Sequence, residues 1–152
     1  MSDDTIRLKM PLLAAGQAQK EITHNEALTV LDLAVHAAVS GVGVTTPPAT
    51  PALGAAWIVG DAPSGAWAGQ ARALAGWTAG GWRFVAPIEG MTVWHVADRR
   101  TLRHVAGAWV GGVGAPAAAI SEPVGGGVID AEARSAVAAI LRTLRQHGLI
   151  TA

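Results

Sequence analysis

Short apolar segments separated by turn residues are the feature that most constrains the fold of this chain. Between residues 45 and 110, six such segments alternate with Gly, Pro, Ser or Asp. They span residues 56–59, 72–77, 82–86, 91–97, 101–105 and 108–110. This length and spacing are typical of strands in a small all-β unit. We therefore expect a small antiparallel β sandwich or barrel in this part of the chain.

A helix is predicted before the β unit, over residues 17–40. The Thr-His-Asn-Glu sequence at 23–26 has the pattern of a capping box, and apolar residues then recur at helical spacing. Gly41 follows the run, as is common after a helix. Asp32 and His36 are four residues apart, which predicts a pair on the helix surface.

The first 16 residues have a strand-like pattern. Ile6, Leu8 and Met10 alternate with basic residues, and alternation of this kind suits a half-buried strand. Two interpretations stay open at this point. The segment is either a strand of the domain's own sheet or an extended N-terminal arm that contacts a neighbouring subunit through these three apolar side chains.

The C-terminal part predicts a tethered amphipathic helix. Residues 111–127 are rich in Gly, Ala and Pro and predict a linker, and residues 128–152 predict the helix. Asp130 is a good N-cap residue, and Gly148 marks the end. The apolar residues of its stripe are Ala133, Val137, Ile140, Leu141 and Leu144. We expect the last four of them to bind copies of the chain or a partner.

The predicted fold class is therefore α+β, in four parts. An N-terminal arm (1–16) precedes a helix plus β domain (17–110), the linker (111–127) and the C-terminal helix (128–152). The 152 residues are enough for one domain with a real core.

Charge limits the partners that this chain can have. Its 11 basic and 11 acidic residues cancel, and only 14% of its residues are charged. Nucleic-acid binding needs a basic surface, so it is excluded as a main function. Near-zero net charge instead favours association with other proteins. The sequence holds no run of about 18 uncharged apolar residues, which predicts no membrane span.

Residues suited to catalysis or metal binding are sparse. Cysteine is absent, and no nucleophile elbow or phosphate-binding loop occurs. His95 and His104 would lie opposite each other across a hairpin, but no third ligand is near them in the sequence. Asp61, Glu89 and Asp98 are the acids of the β region, too few to favour glycoside hydrolysis. We expect no cofactor, no metal and no enzymatic activity.

The aromatic residues are unusual, with six tryptophans, one phenylalanine and no tyrosine. Tryptophan buries a large area, so most of the six are expected in the core of a small β fold. Trp67 and Trp77 lie next to glycine-rich turns and are the two predicted to be exposed. An exposed indole can stack on a sugar, so these two are the candidate glycan contacts.

Residues 10–28, from Met-Pro-Leu-Leu through Gln-Ala-Gln-Lys to Thr-His-Asn-Glu-Ala-Leu, carry a resemblance to a known family. They resemble the opening of a family of uncharacterised function encoded by alphaproteobacterial prophages and gene transfer agents. Gly-Ala-Trp-Ala-Gly at 65–69 and Gly-Trp at 81–82 are also similar to that family. Glu21 departs from it, because a histidine is expected there.

The resemblance implies a virion part, a head-spike base of a gene transfer agent. Such a base holds a capsid vertex on one side and, on the other, a fibre that contacts the capsule polysaccharide of the recipient cell. It implies a homo-oligomer that meets capsid vertex and spike-fibre proteins. It also implies a location in the virion, assembled in the bacterial cytoplasm.

Three hypotheses of function follow. The first is a homo-oligomeric structural protein of a phage-like particle that serves attachment to the host cell. The second is a carbohydrate-binding module of a tail or spike fibre that recognises capsular polysaccharide through Trp67 and Trp77. The third is a polysaccharide-cleaving enzyme that uses the acids of the β region.

Overall fold

The structure is a computed structural model of the chain that describes residues 4–16, 20–111, 119–122, 124 and 130–150. Its helices are α1 (Lys20–Ala34) and α2 (Ala131–Gln146), and a short 3-10 turn spans Gly65–Trp67. The strands are β1 (Ala38–Val39), β2 (Val42–Val44), β3 (Ala56–Val59), β4 (Leu74–Thr78), β5 (Gly81–Val85), β6 (Thr92–His95), β7 (Arg100–Val105) and β8 (Ala108–Gly111). The chain divides into two compact units between Trp109 and Val110.

Two four-stranded sheets form the β part, in the orders β2-β3-β4-β5 and β1-β6-β7-β8. The predicted α+β class is confirmed, and the sheets are arranged as a sandwich rather than a closed barrel. The pairs β3–β4, β4–β5 and β6–β7 are antiparallel, as expected. Strands β1 and β2 were not predicted. They are two and three residues long and pair in parallel with β6 and β3, respectively.

The main core lies where α1 and strands of both sheets meet. Its buried residues are Leu33, Ala37, Val39, Ala56, Ile58, Leu74, Val93 and Leu102. A second cluster covers the opposite face of the first sheet, because successive side chains of a strand point to opposite faces. Its buried residues are Val59, Trp67 and Ala75. The first sheet is thus covered on both sides.

The helix predicted over 17–40 ends earlier than expected, and its capping-box pattern does not mark its start. The capping-box pattern at 23–26 lies inside the helix, which already includes Lys20. At the other end the helix stops at Ala34, and His36 takes a left-handed conformation with φ of 49°. The chain turns there because Val39 is needed in the core, where it is fully buried in β1.

The N-terminal segment is not the strand that the alternation predicted. Residues 6–8 form a turn, and the amide of Thr5 donates to the carbonyl of Met10 over 2.9 Å. A single antiparallel bridge joins Asp4 and Pro11. The segment therefore folds back on itself, and the first of the two interpretations, a strand of the domain's own sheet, is wrong because its hydrogen bonds go to its own turn and to α1. The second, a contact with a neighbouring subunit, stays a prediction.

Helix α2 matches its prediction closely. The Asp130 carboxylate accepts from the amide of Ala133 over 2.8 Å, which confirms the predicted N-cap. At the other end Gly148 is left-handed with φ of 68°, and the amide of Leu149 donates to the carbonyl of Leu144 over 2.9 Å. This six-to-one bond is the Schellman ending of a helix. The predicted linker at 111–127 lies outside the described residues except for Gly111, 119–122 and 124.

Candidate functional site

A single buried carboxylate anchors the N-terminal segment to α1. Asp32 is only 6% exposed, and it accepts a hydrogen bond from the Thr5 hydroxyl at 2.9 Å. It also accepts from the backbone amides of Arg7 at 2.9 Å and Leu8 at 2.6 Å. Three donors satisfy the charge that burial would otherwise penalise. The surface pair predicted for Asp32 and His36 is therefore wrong.

Arg7 caps the end of α1 from outside the helix. Its guanidinium donates to the carbonyl of Asp32, to that of Leu33 at 3.1 Å and to that of His36 at 2.8 Å. The last carbonyls of a helix lack partners within it and carry partial negative charge. The last turn of α1 has no basic residue of its own, so the N-terminal segment supplies the cation.

These contacts build one wall of an open cleft of about 510 Å³. The other walls are α1, the loop at 53–55 and the turn between β4 and β5. Its apolar lining comes from Ile6, Leu12, Ile22, Leu33 and Leu53. Two glycines allow the close packing: a Cβ on Gly76 would lie 2.4 Å from Leu33, and one on Gly54 would lie 2.9 Å from Ile6.

The polar side chains that line the cleft are already bonded within the chain. Asn25 holds both the amide and the carbonyl of Leu13, each over 2.9 Å. The hydroxyl of Thr29 donates to the Asn25 carbonyl at 2.8 Å, and that of Thr78 to the Gly81 carbonyl at 2.7 Å. What the cleft offers to an occupant is therefore mainly apolar surface.

An ion pair crosses the cleft from α1 to β5. The Arg83 guanidinium donates to both oxygens of Glu26, over 2.5 and 3.0 Å, and this hydrogen bond raises the pKa of Arg83. Bidentate geometry of this kind is the strong form of the contact. The side chains remain 30% and 47% exposed, so both charges stay available at the surface.

Neither of the two tryptophans that were predicted to be exposed is exposed. Trp67, predicted to be exposed, is fully buried: the 3-10 turn lays it on the first sheet, where its ring centre lies 5.0 Å from that of Trp82. That expectation is wrong. Trp77 is half-buried and also packs against Trp82 at 5.0 Å. It borders the cleft, but strand alternation points its indole to the face opposite Arg83.

The predicted partner residues fall in two places. Ile6 lines the cleft, whereas Leu8 is 40% exposed in the N-terminal turn and Met10 is half-buried. In α2, Val137 and Ile140 are 42% and 57% exposed. Leu141 of the same helix is buried and Leu144 is half-buried. Two of the four α2 residues that were predicted to bind a partner are therefore exposed to solvent.

The candidate metal pair and the candidate acids are not assembled into a site. His95 lies opposite Arg100, and His104 is buried beside Trp109, so the two histidines are not the cross-strand pair that was expected. The acids are engaged separately: Asp61 with Arg72, Glu89 with the amide of Ala106, and Asp98 with His95 and Arg100. Among the described residues, no group of three potential metal ligands occurs.

Sequence reasoning missed the residues that build the cleft. Glu26 and Arg83 are 57 positions apart, and Arg7 and His36 are 29 apart. The local signals in the sequence are an acid among the apolar residues of a helix and a glycine inside a strand, and each of these has several structural explanations. No helix of the described part has the length and apolar character that crossing a bilayer requires.

The first unit is a small α+β domain with an apolar cleft, and the second contains an amphipathic helix that has its own caps. The chain belongs to DUF2793, a family of proteins of unknown function, whose model matches residues 24–110. The matched part includes both sheets, apart from Gly111, and most of α1. It excludes the N-terminal segment and α2. No curated protein matches the chain.

Proposed function

We propose that this chain is a homo-oligomeric structural protein of a phage-like particle, the head-spike base of a gene transfer agent. The observation that carries the proposal is the apolar face of α2. Val137 and Ile140 are exposed on a helix that has its own caps at both ends. Apolar side chains repeated on one face of a stable helix favour pairing with another helix.

The role follows from the resemblance of residues 10–28 to proteins of prophages and gene transfer agents. In that role the body of residues 17–110 meets a capsid vertex, and α2 binds its own copies or the spike fibre. The chain's zero net charge and 51% hydrophobic content are consistent with a subunit of a larger assembly. The particle then uses the spike to attach to the host cell surface.

The engaged polar groups favour a structural role over catalysis. General acid–base chemistry needs a carboxyl group free to reach a substrate proton. Here Asp32 holds the N-terminal segment and Glu26 holds Arg83. The acids that a hydrolase would use, Asp61, Glu89 and Asp98, are likewise each bonded to a local partner.

Glycan binding is the second candidate, and one observation favours it at a new position. Trp94 is 44% exposed on β6, opposite Thr101 of β7. An exposed indole beside a hydroxyl group is a suitable platform for a sugar ring. Capsular polysaccharide should then quench tryptophan fluorescence in the native chain but not in Trp94→Ala.

The main proposal is tested on particles. The gene should be tagged in its own bacterium, and particles purified on a density gradient and examined by quantitative mass spectrometry. We expect the chain to sediment with the particles in a fixed ratio to the capsid protein, and Val137→Glu/Ile140→Glu to lower that ratio. A chain that stays with free protein in the gradient would contradict the proposal.

A further inference from the structure

The rim of the cleft exposes more apolar surface than the described residues around it cover. Ile22 of α1 is 66% exposed and Leu53 of the facing loop is 59% exposed, although both line the cleft. Isolated exposed apolar residues are ordinary, but two large ones at the mouth of an apolar cleft mark a contact surface.

The chemistry of the cleft selects an apolar protein occupant. Inside the cleft, Asn25, Thr29 and Thr78 are bonded within the chain, so a sugar or nucleotide would find few donors and acceptors there to replace its water. Branched aliphatic side chains need no such partners. Burying them would gain about 25 cal/mol of free energy per Å² of apolar surface and would leave no polar group unpaired.

The charges at the rim fit a second copy of this chain. Arg83 and Glu26 place one positive and one negative group side by side, both partly exposed. When two copies face each other about a twofold axis, each Arg83 can approach the other copy's Glu26, so the patch is complementary to itself. The zero net charge of the chain adds no repulsion between copies.

We infer that the cleft is a twofold interface, in which Ile22 and Leu53 of each copy enter the cleft of the other. This interface belongs to the first compact unit and is independent of the α2 association proposed above. The chain would then carry two separate self-association surfaces.

The test uses the full chain with Val137→Glu/Ile140→Glu, which removes the apolar face of α2. Sedimentation equilibrium should show a monomer–dimer equilibrium in this background. Adding Ile22→Glu/Leu53→Glu should raise the dimer dissociation constant at least about tenfold, since two buried charges per copy would face an apolar wall. Ile88→Glu/Val96→Glu is the control, because these side chains are 71% and 51% exposed and lie outside the cleft. It should leave the constant unchanged.

A second measurement separates this inference from the role of α2. The chain has no cysteine, so Leu53→Cys carries a single thiol. A short bismaleimide should link it into covalent dimers, whereas Ile88→Cys should stay monomeric. The inference is overturned if the α2-disrupted chain is monomeric at every concentration, if the rim substitutions act no more than the control, or if both cysteine variants cross-link equally. None of these results contradicts the α2 association, which is tested by comparing the mass of the native chain with that of the α2-disrupted chain.

Discussion

The two helices of this protein are nearly equal in length, 15 and 16 residues, but they are specified in opposite ways. Helix α2 takes both caps from its own ends, at Asp130 and Gly148. Helix α1 depends on the N-terminal segment, because the Arg7 guanidinium donates to the carbonyls at the end of the helix. In turn, the Asp32 carboxylate of α1 accepts hydrogen bonds from the N-terminal segment. One helix is stabilised locally and the other by tertiary contacts.

This difference also divides their roles. Helix α1 contributes Leu33 to the core and packs so closely on β4 that only glycine fits at position 76. Helix α2 keeps Val137 and Ile140 exposed. A helix that is capped locally and leaves apolar side chains open is suited to binding a partner, whereas a helix fixed by the core is suited to shaping a cleft.

The strongest test of the comparison is Asp32→Ala. Removing this carboxylate leaves the Thr5 hydroxyl and two backbone amides without their acceptor, so we expect the free energy of unfolding to fall by about 3 kcal/mol. Urea denaturation measures the change. Asp61→Ala is the control, because its ion pair with Arg72 is exposed and should contribute less than about 1 kcal/mol. Equal effects of the two substitutions would show that the segment is not anchored through Asp32.

Next in size is Gly76→Ala. The new methyl group would lie 2.4 Å from the Leu33 side chain, which is 4% exposed and has little space to move. We expect a loss of about 2 kcal/mol in unfolding free energy, as is usual for overpacking. In a Leu33→Ala background most of this cost should disappear, which a double-mutant cycle would reveal. If the two changes in unfolding free energy were simply additive, Leu33 of α1 would not be in close contact with position 76 of β4.

A smaller effect is expected from Asp130→Ala, which removes the local cap of α2. The loss should be about 1 kcal/mol and confined to that helix, because the carboxylate accepts from the amide of Ala133 in the first turn. Faster amide hydrogen exchange in residues 131–134 would report it. Asp130→Ser should retain most of the protection, since a serine hydroxyl can accept the same bond. Unchanged exchange in the alanine variant would argue against local specification.

The smallest effect concerns the turn between β6 and β7. The hydrogen bond from His95, with the charges of His95 and Arg100, lowers the pKa of Asp98 below its usual value. A carboxyl group with a lower pKa in the folded state stabilises the fold above its unfolded pKa, near 3.9. That contribution is lost as the pH falls through the folded pKa. The stability difference between native chain and Asp98→Asn should therefore shrink below about pH 4. A stability difference that increased as the pH fell below about 4 would contradict a lowered pKa of Asp98.

The comparison explains which features could be predicted from sequence. The ends of α2 were predictable, since Asp130 and Gly148 act within one turn of the helix. The end of α1 was not, because it is set by Arg7 and by the need to bury Val39. Alternation and turn residues identified six strands, whereas β1 and β2 are too short to show any period.

The candidate site was hidden for a similar reason. Its ion pair joins Glu26 to Arg83 across the fold, and no local pattern marks such a distant pair. Trp67 was predicted to be exposed because glycines flank it, but the 3-10 turn that those glycines permit lays its ring on Trp57 and Trp82. Local flexibility was mistaken for exposure.

We propose that the apolar face of α2 holds copies of this chain together. The most direct measurement is the solution mass of the full chain by light scattering, compared with Val137→Glu/Ile140→Glu and with Ser135→Glu/Ala139→Glu. The second pair adds the same charge to the opposite face of the helix. We predict a defined oligomer for the native chain and the control, and a smaller species when the apolar face is charged. The same mass for all three proteins would contradict the claim.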